Sequence, residues 1–130
     1  MQTPDQAALP TGWDAPQEFR LAEEPLPGGV LISVTGELDI ATAPELRSRL
    51  NAAVEARARR VVLDLCPVTF MDSVAMAVVL HARARLGAGG RMAIVIPGDS
   101  YTRLVFEIAG LPQCLDLFET RGEALAHVGA

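Results

Sequence analysis

Three short, almost unbroken apolar runs punctuate the chain: "VLISVTG" at 30–36, "RVVLDL" at 60–65 and "RMAIVI" at 91–96. Their β-branched content marks them as strands. The near-continuous apolar character of the last two suits strands covered on both faces of a sheet. Segments of helical length separate them, and a strand–helix–strand repeat builds parallel pairs through right-handed crossovers. The chain is thereby narrowed to an α/β sheet.

The intervening segments supply the rest of the architecture. In "TAPELRSRLNAAVEAR", Leu46, Leu50 and Val54 recur every four residues and give a helix one apolar face, with Arg47 and Glu55 opposite. Thr42 followed by Glu45 has the form of a capping box, and Pro44 fits the first turn. From Ser73 to about Leu86, Met76, Val79, Leu80 and Leu86 fall at helical spacing, and "GAGG" ends that helix. "PGDS" makes a turn and offers Ser100 as the cap of "YTRLVFEIA", with Gly110 at the left-handed position that closes it. "CLDLF" is a last short strand and "RGEALAHVG" a terminal helix.

Ahead of the first run, "EFRLAEE" at 18–24 alternates weakly and reads as an edge strand joined through "PLPGG" in a hairpin. The expected order is β-β-α-β-α-β-α-β-α. That describes a single α/β domain over 18–130, a mostly parallel sheet of about five strands with an antiparallel edge strand and four helices. Leu46, Leu50, Val54, Val62, Leu63, Ile94 and Val95 are expected in its core. Residues 1–17, with Pro4, Pro10 and Pro16, read as a flexible N-terminal tail in which Trp13 is the only large aromatic.

Composition closes off several functions. No apolar run approaches a membrane span, and no basic stretch precedes an apolar one at the start, so a cytoplasmic protein without a membrane partner is expected. A net charge of −5 argues against phosphate-driven nucleic-acid binding. Cys66 and Cys114 sit far apart among apolar residues and read as small buried hydrophobes rather than a disulfide. No metal-ligand spacing surrounds them, and no cofactor is expected.

In a parallel sheet the strand-to-helix loops emerge at the carboxyl ends of the strands, where ligands bind. "GELDIAT" at 36–42, "CPVTFMDS" at 66–73 and "PGDS" at 97–100 are those loops. The first two carry Asp39, Thr42, Asp72 and Ser73 towards one region. No glycine-rich phosphate loop and no GxSxG around Ser73 is present, and His81, two turns further on, is poorly placed as a general base. His127 is expected to pair with Glu123, four residues earlier. Catalysis and nucleotide hydrolysis are therefore the weaker readings, and no catalytic residue is assigned. Taken alone, Ser73 reads as an ordinary helix N-cap.

Taken together, "VTGELDIATAPELRSRL", "RVVLDLCPVTFMDSVAM" and "LVFEIAGLPQCLDLF" resemble the STAS domain of bacterial anti-sigma factor antagonists over about residues 18–128. The resemblance implies that Ser73, directly after the Asp of "FMDS", is a phosphorylation site. It implies a partner that is both anti-sigma factor and ATP-dependent serine kinase, bound while Ser73 is unmodified, and a serine phosphatase that restores binding. Any ATP would be used by the partner kinase. Asp39, Thr42, Asp72, Ser73, Val74, Ala75 and Met76 would then line the partner-binding edge. Family members commonly continue "FMDSSGL", whereas Val74, Ala75 and Met76 follow Ser73 here. A non-switching STAS scaffold in a signalling or transport assembly is the alternative.

Overall fold

The computed structural model describes residues 18–129, so the expected tail at 1–17, including Trp13, lies outside the described residues. Strands β1 (Arg20–Leu26) and β2 (Gly29–Leu38) form the hairpin, and helix α1 (Ala43–Glu55) follows. Strands β3 (Arg60–Asp64) and β4 (Val68–Met71) then precede helix α2 (Ser73–Leu86) and strand β5 (Arg91–Val95). Helix α3 (Tyr101–Ile108), a 3-10 turn (Leu111–Gln113), strand β6 (Asp116–Phe118) and helix α4 (Arg121–Val128) complete the chain.

The main path of the sheet runs β1-β2-β3-β5-β6, antiparallel between β1 and β2 and parallel elsewhere. Six strands and four α-helices among the described residues give a mixed α/β fold. The sixth strand corrects the expected loop at 66–73. Val68–Met71 adds to the carboxyl end of β2 in parallel, so the chain passes from β3 to β4 without a helix between them. Strand β2 thus pairs with β3 through Ser33 and with β4 from Gly36 onward. The change of partner falls at Gly36, whose φ of 96° supports a bulge that a residue with a Cβ would strain.

Alternate residues of each central strand feed two cores. On one face Ile32, Val34, Leu63 and Ile94 pack with α1, α2 and Phe106 of α3. On the other, Leu31, Val62, Ala93 and Val95 meet Ala124 and Val128 of α4. Leu46 and Leu50 are buried as expected, but Val54 is only half-buried, and Ala43 and Ala53 complete the buried stripe. A strict four-residue step gains about 40° per step on a 3.6-residue turn, so it walks off the contact line, whereas steps of three and four stay on it. Val62, Leu63, Ile94 and Val95 are all buried.

Further departures have local causes. Both cysteines are free and exposed, Cys66 in the β3–β4 turn and Cys114 after the 3-10 turn. His127 pairs with Asp116 at 2.9 Å and lies tilted against Phe118, because Glu123 is already engaged as the reciprocal partner of Thr120 in a capping box. Among the described residues no helix is long and apolar enough to cross a membrane.

Candidate functional site

Pairing of β4 with β2 builds the carboxyl-edge site. Leu38 and Met71 are register partners, and the Asp72 amide donates to the Leu38 carbonyl at 3.1 Å. The loop carrying Asp39 and the start of α2 are therefore held side by side by backbone hydrogen bonds, independently of any side chain.

The Asp39 loop is internally satisfied. Oδ1 of Asp39 accepts the amides of Ala41 and Thr42 at 3.0 and 3.1 Å. Oγ1 of Thr42 donates to the Glu37 carbonyl at 2.8 Å and accepts the Asp39 amide at 2.9 Å. The expected Thr42–Glu45 capping box does not form, because the hydroxyl is turned back into the loop and makes no cap hydrogen bond to α1. Asp39 and Thr42 are half-buried members of this turn, which the Asp39 Oδ1 and the Thr42 hydroxyl hold together.

At the start of α2 the roles are also reassigned. Asp72, in extended backbone, is the N-cap, and its Oδ1 accepts the Ala75 amide at 3.0 Å. Ser73 is the first helical residue and is exposed, so the expectation that it caps the helix is corrected: the neighbouring carboxylate does so. Its hydroxyl is left out of the capping. Val74 is 36% exposed and Met76 packs half-buried against the core, while Ala75, expected to line the partner-binding edge, is fully buried and turns into the core instead. The site therefore faces solvent chiefly through Ser73 and Val74.

Two further exposed apolar residues belong to the same edge. Ile40 is 73% exposed in the β2–α1 loop, and Phe70 is 39% exposed on β4. A single isoleucine inside the polar "LDIAT" turn was the available signal; Phe70 was hidden by the missed strand. From Val74 a groove of about 240 Å³ runs between α1 and α2, lined by Arg47, Leu50, Ala77, Val78 and His81. His81 is exposed there and faces this groove rather than Ser73.

The carboxyl end of β3 carries a separate ionic cluster. Asp64, 4% exposed, receives Arg121 Nε at 2.6 Å and the Cys66 amide at 2.9 Å. Although Cys66 as a residue is exposed, partial burial of its thiol, followed by the Asp64 hydrogen bond and charge, pushes its pKa up to about 11. The Asp64 carboxylate raises the pKa of Arg121 further. This cluster ties the α4 start to the sheet.

Comparison with known proteins gives a consistent picture. The STAS domain family matches residues 22–124. The anti-sigma-F factor antagonist RsfB of Mycobacterium tuberculosis is 30% identical over 101 residues, covering 78% of this chain and 82% of its own. An anti-sigma factor antagonist from Mycobacterium paratuberculosis has a similar structure, with a TM-score of 0.81 and 29% identity over 91% of this chain and 100% of that one. The anti-sigma factor antagonist SpoIIAA in its unphosphorylated form gives a TM-score of 0.69 and 28% identity over 85% of this chain and 96% of its own. Bacillus SpoIIAA in its phosphorylated form gives 0.62 and 29% over 85% and 99%.

Proposed function

The chain belongs to the STAS domain family, and from that membership we propose that it is an anti-sigma factor antagonist switched off by phosphorylation of Ser73. The partner is an anti-sigma factor with serine-kinase activity, bound at the edge formed by Asp39, Thr42, Asp72, Ser73, Val74 and Met76. A serine phosphatase returns the chain to its binding form.

The observation that carries this reading is the division of labour between Asp72 and Ser73. Asp72 caps α2, so the exposed Ser73 hydroxyl can be modified without removing a helix-capping hydrogen bond. A phosphate at the first helical position would meet the positive end of the dipole of a fourteen-residue helix, which tolerates anions. The added charge of about −1.5 to −2 would stand beside Asp72 and close to the Asp39 loop. A partner fitted to a neutral hydroxyl and to apolar Val74 and Ile40 then meets charge and bulk, while the fold survives. Relatives support the same logic: SpoIIAA exists in phosphorylated and unphosphorylated forms, both similar in structure to this chain.

The test is phosphosite mapping by mass spectrometry on protein isolated from its native cell, with and without Ser73→Ala. A phosphate on Ser73 that disappears in the variant is expected. Phosphate on another residue, or none while the chain still retains an anti-sigma factor in a pull-down, would replace the switch with a non-switching scaffold.

A further inference from the structure

The amino ends of the strands, opposite the Ser73 edge, gather Arg57, Arg59, Arg60, Arg83, Arg85 and Arg91 in a chain whose net charge is −5. Three of these have structural work. Arg60 donates to the Val128 carbonyl at 2.8 Å and to the Pro27 carbonyl at 2.7 Å, and Arg91 donates to the His127 carbonyl at 2.9 Å. These two close the last turn of α4, where cations suit the dipole. Arg83 donates to the Gly87 carbonyl at 3.3 Å.

The other three, Arg57, Arg59 and Arg85, are exposed and surround a groove of about 440 Å³ floored by Val54, Ala58, Leu86, Gly89 and Gly90. Among the described residues, none of the three takes part in an ion pair. Arg85 touches only a neutral acceptor, donating to Asn51 Oδ1 at 2.6 Å. A second observation concerns Arg57, which has a φ of 59° just past the end of α1. Glycine takes that left-handed position without penalty, while an arginine there is strained by its Cβ. Strain held at an exposed, unshielded cation points to a use for the guanidinium outside the fold.

We infer that this groove is a docking surface for an acidic segment of a protein partner, with Arg57, Arg59 and Arg85 taking its carboxylates. Guanidinium groups pair with carboxylates through two parallel hydrogen bonds, and the small apolar floor accommodates a peptide backbone between them. A nucleic acid fits less well, since the net negative remainder of the chain repels a continuous phosphate backbone. A bilayer also fits less well, because none of the exposed large apolar side chains lines this groove. Helix α2 runs from Ser73 to Leu86 and sets Arg85 about 18 Å from Ser73, at roughly 1.5 Å per residue. Both surfaces can thus be occupied together, and the inference stands independently of the Ser73 switch.

The experiment uses the full chain and a fluorescein-labelled peptide of alternating glutamate and alanine, followed by anisotropy and by amide chemical shifts. Saturable binding is expected, weakening by about tenfold between low and physiological salt. Amide shifts should centre on Arg57, Arg59, Arg85 and Gly89. Arg59→Glu with Arg85→Glu should lower affinity at least about tenfold, both sites being exposed. Arg57→Gly should weaken binding about threefold with an equal or higher Tm, because glycine relieves the left-handed backbone. Shifts centred elsewhere, or an Arg57→Gly variant that melts lower and binds unchanged, would overturn the site. Tighter binding of single-stranded DNA of the same length, or of phosphatidylserine-containing vesicles, would overturn the choice of an acidic protein segment.

Discussion

Asp72 and Ser73 are adjacent, both are good helix-capping residue types, and the structure gives them different work. Replacing Asp72 by Ala removes the acceptor of the Ala75 amide, a 3.0 Å hydrogen bond at the start of α2. Loss of an N-cap costs about 0.5–2 kcal/mol, and the dipole contribution of the carboxylate falls within that range. Ser73→Ala removes an exposed hydroxyl that caps nothing, and Ala is the better helix former by up to about 0.5 kcal/mol. Asp72→Ala should therefore lower Tm by several degrees, at about 4 °C per kcal/mol for a domain of this size. Ser73→Ala should leave Tm within about 2 °C of wild type or raise it slightly. The assay is a urea titration read by far-UV circular dichroism, with the slope m held common, alongside thermal melts. A Ser73→Ala loss above about 1 kcal/mol together with a neutral Asp72→Ala would refute the assignment of the cap, and with it the argument that Ser73 is free to be modified.

The remaining predictions use the same measurements or simple extensions. Ser73→Asp should fold as well as wild type yet bind the anti-sigma partner at least about tenfold more weakly in calorimetry, since its charge sits beside Asp72. Leu50→Ala, at 1% exposure between α1 and the sheet, should cost about 2–5 kcal/mol in a denaturant melt. Arg121→Ala should cost about 1–3 kcal/mol because it strips the buried Asp64 of its guanidinium, whereas Glu24→Ala, whose contact with Arg121 is 3.8 Å and exposed, should be nearly neutral. With the Cys66 pKa raised from 9.0 to about 11, its alkylation rate by iodoacetamide should keep climbing to about pH 11, and a plateau by pH 9.5 would contradict the burial and Asp64 effects. Because the folded chain holds that proton more tightly than the unfolded chain, Cys66 should also make stability fall as pH rises from 9.0 towards 11.

Much of the scaffold was legible because it depends on periodicity and on strong punctuation. The helix ends at Gly87 and Gly110, the Ser100 cap and the three apolar strands all follow from local chemistry. What escaped was set by tertiary contact. β4 is four residues long, begins after a proline and buries only its two end residues, so neither length nor alternation betrays it. Thr42 and Glu45 satisfy a capping pattern that Asp39 pre-empts, while Thr120 and Glu123 form the real capping box. Asp116 reaches His127 only because β6 and α4 pack together. At the site, topology alone brought Asp39, Asp72 and Ser73 to one edge. Which of the adjacent Asp72 and Ser73 caps the helix depends on one backbone dihedral, which no spacing encodes.

Helix α4 stands on its own face of the sheet, where the smaller core has six buried members, whereas α1 and α2 share the larger core on the other face. Its attachment otherwise relies on Asp64–Arg121 at one end and on the guanidinium groups of Arg60 and Arg91 at the other. In native-state hydrogen exchange this makes α4 a separate, weaker cooperative unit. Its amides should exchange through a partial opening at a free energy below that of global unfolding, while those of β3, α1 and α2 wait for the whole domain to open. The amides flanking Ser73 would keep their protection while α4 opens and closes.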